Sequence, residues 1–300
     1  MNEAAAPRWL RWWFPQVPAE RLAMLRILVG TYSVIYFGVR LPYWLSFAKH
    51  RAVQFRPVGV LSPLDGPIDP AVYQIIVLLT FVGSVFFLLG FWYRAVAPVF
   101  AACLFFVLTY ANSWGGLLHT DNLWLLHVVI LALAPGADVI SLDARRATSS
   151  SSPHFKYGWA IRLMCWVCVC AYFLAGVAKV KNSGWGFIEG DSLRNYVAMD
   201  NVRKIELGSP HSPFAALFLA YPAAFQLFAV ASLALELGAP LVMLNRGAAK
   251  LWSIAMWSFH LGVLALMAIL FLYPVTFIAF APFFRTERLA RFLRKEIATT

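Results

Sequence analysis

The sequence predicts an all-α protein, a polytopic transmembrane helical bundle of about eight membrane segments that include short broken helices. Three observations predict it. Of 300 residues, 61% are hydrophobic and only 13% charged, against roughly 45–50% apolar and about 25% charged in soluble domains. Six or more uncharged runs reach the roughly 20 residues that cross a hydrocarbon core. They use up nearly the whole chain, so residues 1–300 are expected to form a single integral-membrane domain. The basic residues, which give a formal net charge of +11, fall between these runs and at the two ends. There they meet anionic headgroups and set topology, and no nucleic-acid partner is expected.

Residues 1–20 hold Glu3, Arg8, Arg11 and Glu20 without an apolar stretch before a cleavage site, which does not fit a cleaved secretory signal. Trp9, Trp12, Trp13 and Phe14 beside the arginines suit a segment lying at the membrane surface. The first span opens at Pro18-Ala19-Glu20, with proline early and an acid in the first turn, and runs to about Val39 with Arg26 inside it. Residues 40–70 form a proline-rich basic loop. A second span covers 71–93. The third runs from 95 to about 111, where Asn112, Ser113, Trp114, Gly115 and Gly116 interrupt it. The fourth, about 117–135, opens with His119 and Asp121.

Residues 136–157 are a serine-rich basic linker, and the fifth span follows from 159 to about 178 with Lys179 at its end. Residues 184–212 mix polar and aromatic types and read as an irregular or amphipathic interfacial segment. Pro213 and Pro222 then divide an apolar run into a short helix and a sixth span at about 222–244, which contains Glu236. Residues 251–284 carry no charge over 34 positions. That is too long for one span, and Pro274 is the expected break before a short return segment. Residues 285–300 form a basic tail. Assigning Arg145, Arg146, Lys156, Arg246, Lys250 and the tail to one side places both termini in the cytoplasm, although Arg40, Lys49, Arg51 and Arg56 oppose this.

An ionisable group at membrane depth costs about 2.5–3.5 kcal/mol on insertion scales, so it faces the bundle interior or a watery cavity. Glu236 and His260 are the clearest cases, as catalytic groups or as polar contacts that fix packing. Lys179 follows Tyr172 by seven residues, Ala175 by four and Gly176 by three, which puts all of them on one helical face with small residues beside the lysine. Burial there would make a free amine available as a base; the alternative is a lysine that snorkels to the headgroups. His119, Asp121 and His127 are read on nearby faces of one helix. No HExxH pair exists, and no metal is expected. Cys165 and Cys168 form a CxxC in mid-span, away from any helix N-terminus that would activate a thiol, and read as packing residues.

Several stretches together resemble the integral-membrane part of vitamin K-dependent gamma-carboxylases and their bacterial relatives, the horizontally transferred transmembrane (HTTM) domain proteins. They are residues 21–30 (RLAMLRILVG), 55–61 (FRPVGVL), Leu89-Gly90 with Arg94, His119 with Asp121 and Asn122, and Ser141-Leu142-Asp143-Ala144. Then come residues 172–179 (YFLAGVAK) followed by Trp185 and Gly190, residues 236–240, and His260 before Tyr273-Pro274. Their order along the chain carries the resemblance. It implies quinone-linked oxidative chemistry of the epoxidase or carboxylase type, using a reduced quinone similar to vitamin K hydroquinone, with oxygen and, for a carboxylase, carbon dioxide. Lys179 matches the family's catalytic base, and His119 becomes the group that stabilises an oxyanion or orients the quinone. Glu236 and His260 shape the cavity, and Tyr172, Gly176, Trp185, Asp121 and Arg26 are the implied cofactor contacts.

Three departures set the chain apart. The carboxylases have two adjacent lysines where this sequence has Ala178-Lys179, and the stretch from Lys179 to Gly190 is longer here. They also carry a large extramembrane region, so carboxylation of protein glutamates is not the expected activity. The expected partners are membrane lipids, a lipid-soluble quinone, and a peptide or small-molecule substrate, in a multi-pass protein of a bacterial inner membrane. The competing classes are a non-catalytic scaffold, maturation partner or small-molecule carrier, in which the same polar residues hold helices together, and thiol redox chemistry through Cys165 and Cys168.

Overall fold

The computed structural model describes residues 7–116, 119–146 and 152–292. Parts of the expected N-terminal interfacial segment, of the serine-rich linker and of the basic tail therefore lie outside the described residues. The described chain is helical, and its one β feature is an isolated bridge between Val17 and His154. Among the described residues five helices are long and apolar enough to cross a membrane. The chain divides into two compact units, residues 1–164 with 285–300, and residues 165–284.

In the first unit a short helix α1 (Arg8–Trp13) precedes α2 (Ala19–Val39), which starts after Pro18 with Glu20 in its first turn. This acid suits the positive end of the helix dipole. Then come α3 (Leu41–Ser46) and the long first loop, whose Phe55 packs on Tyr110 and Trp114 with ring centroids 5.4 and 5.0 Å apart. The loop's Arg56 N–H donates to Ser113 O at 2.7 Å. Helix α4 (Pro70–Leu89) is capped by Asp69, whose carboxylate accepts from the N–H groups of Ala71 and Val72. It ends on Gly90 in the left-handed conformation at φ 62°, where glycine has no Cβ penalty. Helix α5 (Tyr93–Asn112) is capped from 50 residues away: Asp143 accepts from Trp92 N at 3.0 Å and Tyr93 N at 2.8 Å.

Helix α6 spans only Asn122–Ala132, shorter than the expected 117–135. Asp121 occupies the position before its first turn, with its carboxylate held by Tyr36, and Pro135 closes the far end, since a residue before proline avoids the helical region. His119 consequently precedes the helix and does not share a helical face with His127. The His127 ring is fully buried, and its Nε2 lies 3.2 Å from Met164 O.

Helix α7 (Phe155–Ser183) has 29 residues, about 44 Å at 1.5 Å per residue, so it overruns a roughly 30 Å core and leaves Lys179 and Lys181 near one boundary. In the second unit a 3-10 turn (Trp185–Glu189) leads into α8 (Asp191–Glu206), a largely polar helix in the stretch read from sequence as irregular or amphipathic. Helices α9 (Phe214–Leu219) and α10 (Pro222–Leu237) follow. The expected sixth span to 244 instead ends at Gly238 and continues as a 3-10 turn (Ala239–Leu244), because Pro240 supplies no N–H for an α-helical bond.

Helix α11 (Arg246–Met267) is capped by Asn245 and stops at Ala268, in the left-handed region at φ 49°. This is six residues before Pro274, the expected break. The reason is local satisfaction of its last carbonyls. Asn201 Nδ2 donates to Leu266 O at 2.9 Å, Lys204 Nζ to Met267 O, and Ser212 Oγ to Ala265 O. A helix end at membrane depth is tolerated where side chains take up its unpaired groups. A short α12 (Leu272–Val275) and a 3-10 turn (Ile278–Phe283) complete the unit.

Candidate functional site

Helix α7 presents Tyr172, Gly176 and Lys179 at spacings of four and three, one above another on one face. Gly176 brings α10 close: a Cβ there would lie 3.0 Å from the Cβ of Glu236 and from a methyl of Leu237. That approach lets Lys179 Nζ donate to both carboxylate oxygens of Glu236, at 2.6 and 2.7 Å. The pair is asymmetric in its solvation. The Glu236 side chain is 3% exposed and that of Lys179 28%, so the carboxylate is sealed while the amine keeps an open side. Two rings border that side, Phe187 with its centroid 5.6 Å from Nζ and Phe259 at 5.4 Å. Cation–π attraction adds to the ion pair.

Two turns earlier on α7, Tyr172 OH lies 2.7 Å from His260 Nε2 of α11. Both side chains are buried. The Tyr172 ring stacks on Phe280 and meets Trp252 edge-on, and the imidazole lies against Phe271. His260 Nδ1 is buried and has no hydrogen-bond partner among the described residues. Such a nitrogen costs free energy unless something pairs with it. The second unit therefore holds a charged pair and a phenol–imidazole pair on one helical face, surrounded by aromatic rings. Gly190, at φ 88°, fits closely against the backbone of Phe225 and Gln226 and carries the 3-10 turn that supplies Phe187.

The structure brings together Lys179, Glu236, Tyr172, Gly176 and His260 from the residues expected by sequence. It does not bring Trp185 to them; that ring stands 66% exposed on its turn. His119, Asp121 and Arg26 belong to the first unit. His119 is exposed just before α6. Asp121 accepts from Tyr36 OH at 3.0 Å, and Arg40 Nη1 donates to the same phenolic oxygen at 2.7 Å, so a cation, a phenol and a carboxylate stand in a row. The sequence reading missed Tyr36 and Arg40, although their spacing of four on one helix face was the available signal. It also missed Phe187 and Phe259 beside the lysine, which no local pattern marks out. Cys165 and Cys168 are buried and not disulfide-bonded.

A family model of the HTTM domain matches residues 14–288. The chain belongs to the HTTM domain family. Comparison with curated proteins and with solved structures gave no match. In this HTTM protein, three of the sequence stretches that carried the resemblance meet in one place in the first unit. Arg26 of α2 packs on Gly90 after α4, donates through Nη2 to Ile140 O at 2.5 Å, and adjoins the Ser141–Asp143 turn. Leu142 N and Asp143 N donate to Leu89 O and Gly90 O, and Ser141 Oγ accepts from Ala144 N, so the turn is tied to the end of α4.

Proposed function

We propose that this HTTM protein is a membrane enzyme of quinone-linked oxidative chemistry, with Lys179 as its base. The observation that carries the reading is the Lys179–Glu236 pair, sealed on the carboxylate side and open beside two aromatic rings on the amine side. An apolar ring bearing polar oxygens suits these surroundings: rings to stack on, an amine at one end, and the unpaired His260 Nδ1 among aromatic neighbours. A reduced quinone would supply the reducing equivalents for an oxygenation.

Lys179 accepts a proton only as the neutral amine. The Glu236 carboxylate, which holds two of its N–H donors, is the group that takes up the ammonium proton and leaves a lone pair free. Tyr172 and His260 form a second proton-exchanging pair on the same face, suited to orienting a substrate oxygen and passing its proton. His119 enters as an oxyanion-stabilising group through the resemblance alone. Asp121, Trp185 and Arg26 enter as cofactor contacts in the same way. The substrate is an unnamed peptide or small molecule, and the setting is a bacterial inner membrane with both termini cytoplasmic.

The decisive comparison is Lys179→Arg beside Lys179→Ala, read by hydroquinone-dependent oxygen consumption in the purified protein. Both substitutions are expected to lower turnover by about 10²–10⁴-fold, the usual worth of a general base. Guanidinium stays protonated at physiological pH and cannot accept the proton. Full activity in Lys179→Arg sinks the catalytic assignment. Absence of hydroquinone-dependent turnover in the unaltered protein leaves the second reading, a non-catalytic scaffold or carrier, favoured by the closed two-oxygen ion pair and the Gly176 contact, which also serve to pin α7 to α10.

A further inference from the structure

Arg26 is the most deeply buried arginine or lysine among the described residues of the first unit, with 1% of its surface exposed. Of its five N–H donors, only Nη2 is engaged, with Ile140 O; Nε and Nη1 make no hydrogen bond among the described residues. Among the described residues no carboxylate forms a salt bridge with it. The acid whose charge acts on it, Asp143, spends both oxygens on the N–H groups of Trp92 and Tyr93. The guanidinium lies over the Tyr93 ring, 5.9 Å from its centroid, and feels the Asp143 charge, but neither supplies acceptors for Nε and Nη1; a sealed arginine with idle donors is unfavourable unless a further acceptor completes it.

The same arginine lines a cleft of about 420 Å³, together with Ser141, Arg145, Ile27, Leu88 and Leu89. Arg145 is exposed at the rim, and Leu89 is exposed on the outer end of α4. The cleft thus combines a buried guanidinium, a second guanidinium at its mouth, and an apolar wall continuous with the lipid-facing side of a spanning helix. Guanidinium donors match phosphate oxygens.

We propose that this cleft binds the phosphate of an anionic phospholipid, with Arg26 beneath the phosphate, Arg145 at the rim, and the first methylenes of the acyl chains along Ile27, Leu88 and Leu89. Gly90 is part of the design, because any side chain there would displace the Arg26 guanidinium. A zwitterionic headgroup fits worse, since its ammonium would meet Arg145. The assignment gives Arg26 a ligand different from the quinone that the resemblance implied, and it does not depend on the chemistry of Lys179.

The test uses the full chain in mild detergent, titrated with dioctanoyl phosphatidylglycerol, dioctanoyl phosphatidylcholine or inorganic phosphate, read by native mass spectrometry and thermal unfolding. Phosphatidylglycerol is expected to bind saturably and to raise Tm. Arg145→Glu should weaken its binding by about tenfold or more, whereas Arg94→Glu, an exposed charge reversal outside the cleft, should change it by less than about twofold. Arg26→Gln is expected to lose binding as well; should it fail to fold, Arg145→Glu still decides. Equal binding of phosphatidylcholine, or equal losses in Arg145→Glu and Arg94→Glu, would overturn the site. Equal stabilisation by inorganic phosphate would assign the cleft to free phosphate and overturn the lipid.

Discussion

The side chains with the most chemical potential are those whose surroundings treat their two ends differently. Glu236 is sealed and Lys179 is not, so the pair can exchange a proton without either group facing bulk water together with its partner. The cysteines lack such asymmetry. Cys168 is fully buried on α7 and Cys165 nearly so, and none of the four cysteines is in a disulfide. Replacing Cys165, Cys168 and Cys170 together by alanine should leave hydroquinone-dependent turnover within about twofold, with any loss confined to stability through packing defects of about 1 kcal/mol per site. Loss of turnover at unchanged Tm would instead establish thiol chemistry.

The helices end where side chains allow them to. Helix α11 offers the clearest case: Asn201, Lys204 and Ser212 satisfy three consecutive carbonyls, and Asn201 Oδ1 also accepts from Ser212 N at 2.8 Å. Asn201→Leu keeps the volume but strands Leu266 O and Ser212 N, and should cost about 2 kcal/mol in unfolding free energy. Lys204→Met at the exposed-side neighbour of the same network should cost less, because the side chain is partly solvated. A smaller effect for Asn201→Leu than for Lys204→Met, measured by denaturant titration in detergent, would show that the helix end does not rest on this amide. The expected break at Pro274 failed for this reason: proline marks where a helix cannot continue, but the capping groups that let it stop earlier come from α8 and from the loop before α9.

At the scale of the whole chain, residues after the second unit return to the first. Arg21 donates to both oxygens of Glu287 at 2.7 and 2.6 Å, and Thr286 Oγ1 donates to Arg21 O, so the C-terminal segment is fastened to the start of α2. Burial alone would raise the Glu287 pKa, but the hydrogen bonds from Arg21 and the charges of Arg21 and Arg291 outweigh it and hold the carboxyl below its usual value. A depressed folded pKa means the contribution is complete above the unfolded pKa of about 4.3 and fades as pH falls through the folded value. The Tm difference between the native chain and Glu287→Gln should therefore be constant at pH 6–7 and shrink on acidification below about pH 4; a difference that grows on acidification would contradict this. Orientation is tested separately by single cysteines at Ser150 and Thr299, which lie outside the described residues. Both should react only with reagent admitted to the cytoplasmic side, and labelling of either from outside would reverse the topology.

Composition and helical period determined the fold class and the shared face of Tyr172, Gly176 and Lys179, because hydrophobic run length and a 3.6-residue repeat are local properties that any stretch of sequence displays; the family was carried by the order of particular stretches along the chain. Partnership is not local. Lys179 meets Glu236 across 57 residues and Tyr172 meets His260 across 88, and which polar residue faces which depends on how each helix is rotated and how closely its neighbour approaches. The same limit applies to the first unit, where the resemblance marked Arg26, Gly90 and Ser141 as separate words and only packing joined them. It explains α6 as well: the run of apolar residues set a span of 117–135, while the hydrogen bond from Tyr36 to Asp121 decided that the helix begins at Asn122. A polar side chain inside a membrane protein must find a partner, and the sequence names the ones that need it; the tertiary structure alone chooses the partner.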